Sequence, residues 1–388
     1  MSHPRVYFDC NASAPLLPAA RAAMVDALDL TGNASSVHGE GREARRRVEQ
    51  ARRDVAGLAG ANPEHVIFTS GATEAATTLL TPDWRMGRSA LKLGRLIVSA
   101  SDHPCILGGG HFPRDRVSVI GVDADGIIDL AALRQALDAH DRSDGTPLVA
   151  IHHANNETGV IQPVAEIGAL VKAAGGLFVV DSVQAAGRIP LDISSLSADF
   201  LILSSHKIGG PQGAGAIVGA SDLVMPAPLL RGGGQEKGHR AGTENVAALA
   251  GFGAAAQIAA TEGLAQTDRV RALRDAIEEV VTRHAPDATF FGRNAARLCS
   301  TSCFALPGLK AETAQIAFDL AGIALSSGSA CSSGRIGPSH VLEAMGRGED
   351  ASALRVSIGP GNSDADVAAF EAALGTIIGR LRSKPRAA

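Results

Sequence analysis

Two polar residues with complementary chemistry follow two separate apolar runs. Asp181 ends the run 177–180, and Lys207 comes shortly after the run 200–203. Both runs have the length of buried strands, and α/β proteins place their chemistry at the carboxyl ends of such strands. An aspartate that faces a pyridinium nitrogen, together with a Schiff-base lysine, is typical of a pyridoxal phosphate site. The alternatives are a helix N-cap for Asp181 and a solvated loop position for Lys207.

Three further strand ends carry polar side chains. Thr73 lies in Phe68-Thr-Ser-Gly-Ala-Thr-Glu74, where small residues and hydroxyls precede a helix and could bind a phosphate. His103 follows the run 96–99, and Asn155 follows the run 148–152. Helix capping, a structural histidine and an Asx turn are the respective alternatives. The convergence of these residues on one predicted sheet edge favours a single site.

The stretch Ser326-Ser-Gly-Ser-Ala-Cys-Ser-Ser-Gly-Arg-Ile-Gly337 is the last candidate. It buries little apolar surface, so we expect a mobile loop. Free cysteines are usually buried as small hydrophobic residues. Cys331, displayed on such a loop, is therefore predicted to be a reactive thiol.

Length and composition limit the alternatives. The 388 residues predict two domains, and 36 basic against 40 acidic residues argue against a nucleic-acid partner. No apolar run is long enough for a membrane span, and the N-terminus lacks a signal peptide, which predicts a cytoplasmic protein. The cysteines are odd in number and scattered, so we expect free thiols and no structural metal: Cys10, Cys105, Cys299, Cys303 and Cys331.

The elements that must position these residues alternate between strand and helix. Strands are predicted at 66–69, 96–99, 117–120, 148–152, 177–180, 200–203 and 216–218. Helical patterns between them, such as 130–139 and 164–174, predict an α/β fold with a mostly parallel sheet. Segments 251–262 and 267–281 predict helices that lead out of this domain. Beyond residue 286, strands at 289–291, 301–305 and 355–358 predict a smaller α+β domain.

With these motifs assembled, the chain resembles the pyridoxal phosphate–dependent cysteine desulfurases of the NifS/IscS type, in the class V aminotransferase group. The resemblance covers nearly the whole chain. The motifs that carry it are Gly32-Asn-Ala-Ser-Ser-Val-His, Phe68-Thr-Ser-Gly-Ala-Thr-Glu, Asn155-Asn-Glu-Thr-Gly-Val-Ile-Gln, Ser205-His-Lys-Ile-Gly-Gly-Pro, Arg240-Ala-Gly-Thr-Glu-Asn and Ser326-Ser-Gly-Ser-Ala-Cys. It implies the fold type I architecture, with a large cofactor domain over residues 14–262. Residues 1–13 and 263–388 would form the small domain that carries the Cys331 loop.

The resemblance also implies roles for individual residues. Lys207 would bind the cofactor as a Schiff base, Asp181 would pair with its pyridine nitrogen, and His103 would stack on its ring and move protons. Asn155 and Arg355 would contact the substrate, with Asn155 also near the cofactor. The remaining cofactor contacts implied are Ala72, Thr73, Gln184, Ser204, His206 and Thr243, the last from a neighbouring subunit.

The implied reaction removes sulfur from L-cysteine, giving L-alanine and a persulfide on Cys331. The implied partners are a second copy of the chain, in a homodimer, and a sulfur acceptor such as a NifU-like or IscU-like iron–sulfur scaffold. Selenocysteine lyase, or another reaction of a class V enzyme, is the alternative. Cys331 discriminates against transamination, which has no need of a thiol.

Overall fold

The computed structural model describes residues 5–327, 338–348 and 352–383. Cys331 and most of the glycine- and serine-rich stretch around it lie outside the described residues. The strands are β1 (Val6–Tyr7), β2 (Val66–Thr69), β3 (Asp83–Met86), β4 (Ser89–Ser99), β5 (Val117–Ile120), β6 (Thr146–His152), β7 (Leu177–Asp181), β8 (Phe200–Ser204), β9 (Gly215–Gly219), β10 (Val224–Pro226), β11 (Thr289–Phe290), β12 (Thr301–Ala305), β13 (Ile323–Ala324), β14 (Ser326–Ser327) and β15 (Leu354–Ser357). The helices are α1 (Pro18–Leu28), α2 (Gly39–Ala59), α3 (Ala72–Leu79), α4 (Pro104–Leu107), α5 (Leu130–Asp138), α6 (Val164–Ala173), α7 (Val246–Ile258), α8 (Thr267–His284), α9 (Ala311–Leu320), α10 (His340–Ala344) and α11 (Asp364–Ser383).

The large sheet has the strand order β10-β3-β4-β6-β7-β8-β9-β2, and β5 pairs with the second half of β4. The pairs β4–β5, β4–β6, β6–β7 and β7–β8 are parallel. Strand β9 runs antiparallel to both β8 and β2, so β2 points the same way as β8. The predicted α/β fold with a mostly parallel sheet is confirmed. Strands β3 and β10 were not predicted, because strands of three or four residues carry little apolar pattern.

Both faces of this sheet are covered, and each strand divides its side chains between two apolar clusters. In β6, Val149 and Ile151 belong to the cluster with α2, α5, α6 and α7. Leu148 and Ala150 belong to the opposite cluster, with α3 and α4. This alternation is the period of two that a strand imposes on its side chains. The face on which a residue lies can therefore be read from its position in the strand.

The C-terminal part of the chain builds a separate apolar cluster. An antiparallel sheet with the order β11-β12-β15-β14 packs against α8, α9 and α11, with Phe304, Phe318 and Phe370 buried among them. Strand β1 pairs with β13, so the N-terminal strand packs with this part. The division at residues 14 and 262 stays a prediction. The expectation that the 251–262 helix leaves the first core is wrong, because α7 buries Phe252 against α2.

None of the helices in the described ranges is long and apolar enough to cross a membrane.

A buried ion pair joins α2 to β2, the strand that leads to the Thr73 corner. The Arg52 guanidinium donates to both carboxylate oxygens of Glu236, at 2.7 and 2.8 Å, and to the Val66 carbonyl at 2.7 Å. Glu236 also accepts the Phe68 backbone N–H at 2.8 Å. Both side chains are almost fully buried. Each charge therefore depends on the other, because an unpaired charge in such a position is very costly.

Replacing Glu236 by alanine is expected to lower the free energy of unfolding by about 3–5 kcal/mol, because it leaves the buried Arg52 guanidinium with only the partly exposed Glu49 carboxylate, 3.3 Å from its Nε. The neighbouring Lys237 provides a matched control, since it pairs with Glu64 on the exposed surface. Lys237→Ala should leave unfolding nearly unchanged. Urea denaturation of the two variants measures this contrast, and equal losses of stability would contradict the account of the buried pair.

Candidate active site

A cavity of about 450 Å³ lies at the edge where β2, β4, β6, β7 and β8 end. Polar side chains that follow these five strands converge on it. Of the residues predicted from the sequence, those that line this cavity are Ala72, Thr73, His103, Asp181, Gln184, Ser204, His206 and Lys207. Of the five strand-end residues expected to converge, Thr73, His103, Asp181 and Lys207 line one cavity, and Asn155 does not.

Lys207 ends a single 3-10 turn, Ser205–Lys207, directly after β8. Its Nζ donates hydrogen bonds to the backbone carbonyls of Asn11, at 2.6 Å, and Ala12, at 2.9 Å. The segment that follows β1 therefore holds the Lys207 amine in place through two backbone carbonyls, although this segment is not part of the large sheet. The amine is held beside the cavity and is partly buried, which is the position that an amine nucleophile requires.

Asp181 is the last residue of β7 and is 6% exposed. Its Oδ1 accepts the backbone N–H of Val183 at 3.0 Å. Burial raises the pKa of this carboxyl group from 3.8 to about 6, although the Val183 N–H and the positive charge of His152 act in the opposite direction. A carboxylate that is this poorly hydrated attracts a cation strongly, so the cavity has a built-in preference for a positively charged group at this position.

His103 forms the N-cap of α4, and its ring orientation is fixed locally. Nδ1 accepts the backbone N–H of Cys105 at 3.2 Å, and the Cys105 sulfur lies 3.0 Å from the same atom. The proton of the neutral ring is therefore on Nε2. Burial, and secondarily the charge of Lys207, lowers the pKa of His103 to about 4. Burial raises the pKa of the Cys105 thiol, so this thiol is protonated at neutral pH.

The opposite end of the cavity is suited to an anion. Helix α3 begins at Ala72, and the first N–H groups of a helix have no partner within the helix. Ser204 and His206 line the same cavity, and burial lowers the pKa of His206 to about 4, so its ring is neutral. Glu74 also lines the cavity, and its carboxylate accepts the Ser70 N–H and pairs with Arg240. The N–H groups at the start of α3 and the neutral donors beside them can bind a phosphate.

One predicted site residue requires correction. Asn155 does not line the cavity, because its side chain is used within its own loop and the preceding one. Its Nδ2 donates to the Ser101 carbonyl at 2.9 Å, and its Oδ1 accepts the N–H groups of Glu157 and Thr158. The following residue, Asn156, lines the cavity instead. The adjacent asparagines gave no sequence signal that distinguished the structural residue from the cavity residue.

The other predicted residues lie away from this cavity. Arg355 is fully buried in β15, where it pairs with Asp9 at 2.7 Å and donates to the Asn156 carbonyl at 3.1 Å. It therefore contacts the backbone of a cavity residue without lining the cavity. Thr243 is exposed and lies outside the cavity of its own chain. Cys331 lies outside the described residues.

Two buried residues at the cavity were not predicted. His152 ends β6 and lines the cavity. The Asp102 carboxylate lies within hydrogen-bond distance of Nδ1 of the His152 ring. The sequence signal is weak, because His152 is one of two consecutive histidines at a strand end and Asp102 stands directly before His103, itself a candidate.

Comparisons with known proteins agree over almost the full chain. The aminotransferase class-V family matches residues 6–370. A cysteine desulfurase from Gluconacetobacter diazotrophicus is 39% identical, over 97% of this chain and 94% of its own length. Another cysteine desulfurase, from Cereibacter sphaeroides, is also 39% identical, over 98% of this chain and 97% of its own length. The crystal structure of a NifS-like protein from Rickettsia africae is 32% identical, with a TM-score of 0.85 over 97% of this chain and 99% of its own.

Replacing Asp181 by asparagine is expected to stabilise the ligand-free protein at pH 8. Because folding raises the pKa of this carboxyl group from 3.8 to about 6, the folded state disfavours the ionised form. The penalty is complete above the folded pKa, decreases as the pH falls through it, and disappears below pH 3.8. At about 1.4 kcal/mol per pKa unit, the gain at pH 8 is on the order of 3 kcal/mol.

Chemical denaturation at pH 8 and at pH 4 tests this expectation. Asp192→Asn is the control, because Asp192 is exposed and its pKa is lowered by hydrogen bonds from Ser194. The control should not gain stability at either pH. A gain for Asp181→Asn that is the same at both pH values would contradict the assignment of the penalty to a buried charge.

Proposed function

The chain belongs to the aminotransferase class-V family, and from that premise we propose that it is a pyridoxal 5′-phosphate–dependent cysteine desulfurase of the NifS/IscS type. The observation that carries the proposal is the placement of Lys207 and Asp181 on one cavity, at the ends of adjacent strands. The curated relatives described above are named cysteine desulfurases and match nearly end to end. The geometry of the cavity and the names of the relatives therefore support the same cofactor, and the relatives support the reaction.

The residues present fit this cofactor. The cavity has a volume in the range of small-ligand sites. It offers unpaired helix N–H groups at α3 for a phosphate, a buried carboxylate at Asp181 for a protonated ring nitrogen, and the Lys207 amine for an aldehyde. Pyridoxal phosphate carries these three groups, and when bound it withdraws electrons from the bonds at the α-carbon of an amino acid.

The phosphate would be held by Ala72, Thr73, Ser204 and His206. Thr73 and the backbone at the start of α3 would donate from one side, and Ser204 and the neutral His206 ring from the other. Gln184 lines the same cavity, and its Nε2 donates to the Asn11 carbonyl at 3.0 Å. This bond links Gln184 to the same backbone segment that fixes Lys207.

Lys207 is the proposed base for proton transfers, because its amine would be free to remove the α-proton of the substrate when the substrate takes its place on the cofactor. His103 is neutral at pH 7 and has its proton on Nε2, so it could stack against an aromatic ring without competing for the Asp181 carboxylate. The Nδ1 atom of His103 accepts the Cys105 N–H, so the Nε2–H group is the one that could donate a hydrogen bond in the cavity.

Arg355 and Asn156 are the proposed substrate contacts. A guanidinium group is suited to the bidentate binding of a carboxylate. Arg355 already pairs with Asp9 and contacts the Asn156 carbonyl, so a substrate carboxylate would enter an existing hydrogen-bond network. The amide of Asn156 replaces that of Asn155 in this role, because only Asn156 lines the cavity.

Cys331 is the proposed sulfur acceptor. Its thiolate would attack the sulfur of the bound L-cysteine, the carbon–sulfur bond would break, and protonation of that carbon would give L-alanine. The sulfur would stay on Cys331 as a persulfide, so that cysteine and thiol are converted to alanine and persulfide with no added oxidant. The other cysteines are poor candidates, since burial raises the pKa of Cys10 to about 11 and raises that of Cys303 as well.

We further propose that the chain acts as a cytoplasmic homodimer that passes this sulfur to an acceptor protein, such as an iron–sulfur scaffold. Thr243 is exposed and outside the cavity of its own chain, which is consistent with a contact to the phosphate of a second copy. Exposed apolar side chains, Leu229 and Leu230, lie close by, and the Leu230 carbonyl accepts the Ala241 N–H. An apolar surface beside Thr243 would suit a subunit interface.

Replacing Cys331 by alanine is expected to retain the cofactor absorption band and to abolish the production of alanine from L-cysteine, because sulfur would have no acceptor. Spectroscopy and alanine quantification measure the two properties separately. Cys299→Ala is the matched control, since Cys299 is buried in the second core, and it should remain active. Full activity of the Cys331→Ala variant would refute the persulfide mechanism.

Replacing Lys207 by alanine is expected to abolish both turnover and the covalent attachment of the cofactor. Borohydride reduction followed by mass spectrometry should find the cofactor linked to Lys207 in the unaltered protein and find no such link in the variant. Lys172→Ala serves as the control, because Lys172 pairs with Asp199 at the surface and lies outside the cavity. Normal turnover without Lys207 would show that its assigned role is wrong.

A further inference from the structure

Arg188 is a partly buried cation whose polar partner is a neutral amide. It lies in the turn that follows β7, and its Nη1 donates to the backbone carbonyl of Gln184 at 2.8 Å and to the Oε1 atom of the same residue. In the described part of the chain, no carboxylate lies within ion-pair distance of it. The ionisable groups whose charges act on it are Cys10, Cys299 and Arg355. Cations away from water are normally paired with an acid, so this use of an arginine needs an explanation.

The guanidinium group determines which end of the Gln184 amide faces it. A guanidinium has donors only, so it binds the amide oxygen and not the amide nitrogen. The nitrogen lies at the other end, where Nε2 donates to the Asn11 carbonyl at 3.0 Å. Gln184 is 5% exposed, so water competes little for either end. Arg188 and the Asn11 carbonyl therefore select one orientation of this amide together.

The same carbonyl places Gln184 beside the reactive amine. Asn11 also accepts the Lys207 Nζ, at 2.6 Å, so the two nitrogens lie within the sum of two hydrogen-bond lengths of each other. Both residues line the cavity. An amide nitrogen has two N–H groups, and Gln184 uses one of them among the described residues. The second N–H group is therefore available to an oxygen that binds in the cavity.

One atom of the proposed cofactor matches this donor. Pyridoxal phosphate would join Lys207 through its aldehyde carbon, and the two neighbouring carbons of its ring carry the phosphate arm and the phenolic oxygen. The phosphate would bind at the start of α3, beside Thr73. The phenolic oxygen is then the acceptor that remains close to the Lys207 amine, within reach of the Gln184 amide.

We propose that Arg188 is a positioning residue, which holds Gln184 so that its amide nitrogen donates to the phenolic oxygen of the cofactor bound at Lys207. The inference rests on the proposed pyridoxal phosphate site. Arg188 is not one of the residues that line the cavity. It therefore acts through Gln184 and makes no contact of its own with the cofactor.

A donor at the phenolic oxygen changes the titration of the Schiff base. The protonated Schiff-base nitrogen is stabilised by the negative oxygen beside it, and a second donor to that oxygen weakens this stabilisation. Loss of the donor therefore raises the pH at which the Schiff base loses its proton. For Gln184→Ala we expect a rise of about one pH unit, the size of one hydrogen bond to a charged oxygen. Arg188→Met should shift the titration in the same direction, because nothing then holds the amide oxygen.

A double-mutant cycle separates positioning from a direct effect of the Arg188 charge on the cofactor. A direct effect would appear with or without Gln184. Positioning would disappear once the amide is gone, so Arg188→Met should add little in the Gln184→Ala variant. Arg188→Lys keeps a donor for the amide oxygen and should restore the titration. The titratable residues that line the cavity are the same in every variant: Glu74, His103, Cys105, His152, Asp181, His206 and Lys207.

The measurement is the visible absorption of the full-length holoenzyme between pH 5 and 10. Arg142→Met is the matched control, because Arg142 donates to the Ala174 carbonyl and does not line the cavity. Its titration should equal that of the unaltered protein. The thermal unfolding temperature of each variant verifies folding, and Arg188→Ala takes the place of Arg188→Met throughout if the latter does not fold.

The inference holds if the shift caused by the Arg188 substitution falls to less than half its size in the Gln184→Ala variant. A shift that keeps half its size or more would overturn it, and so would an unchanged titration in folded Arg188→Met or in Gln184→Ala. Absence of a Schiff-base absorption band in the unaltered protein with pyridoxal phosphate would instead overturn the proposed function itself.

Discussion

The burial of the Asp181 carboxylate is the constraint on which the rest of the site depends. A carboxylate in this position loses hydration, and the single backbone N–H of Val183 compensates for only part of the cost. A cation bound in the cavity would offset this cost. Burial keeps the rings of His103 and His206 neutral at pH 7, so neither of these two rings competes for the carboxylate as a cation.

The parallel strands bring the Asp181 carboxylate and other polar groups together at one edge of the sheet. Adjacent strands β6, β7 and β8 end together, and each contributes one group of different character: an imidazole, a carboxylate and, one turn later, an amine. The antiparallel strand β9 reverses direction, so β2 ends at the same edge and brings the start of α3 to the cavity. The N-terminal segment then closes over Lys207 through two carbonyls, which ties the second core to the site.

Much of this arrangement could be predicted from the sequence, because buried parallel strands leave a strong apolar signal and their ends are where polar chemistry is exposed. That signal identifies Lys207, Asp181 and His103. The direction of a side chain inside a polar run leaves no such signal, so the sequence does not distinguish Asn155 from Asn156. Contacts between distant segments are also invisible in a linear pattern. The pairing of Arg355 with Asp9, and of Asp102 with His152, became apparent only from the folded chain.

The proposed reaction at Lys207 and Asp181 would transfer the sulfur of L-cysteine to Cys331. A single-turnover reaction with L-cysteine and no acceptor measures this transfer, with alanine quantified and the Cys331 peptide examined by mass spectrometry. We expect alanine and the Cys331 persulfide to appear in equal amounts and at the same rate. Alanine formed while Cys331 remains unmodified, with all of the sulfur released into solution, would show that Cys331 is not the acceptor.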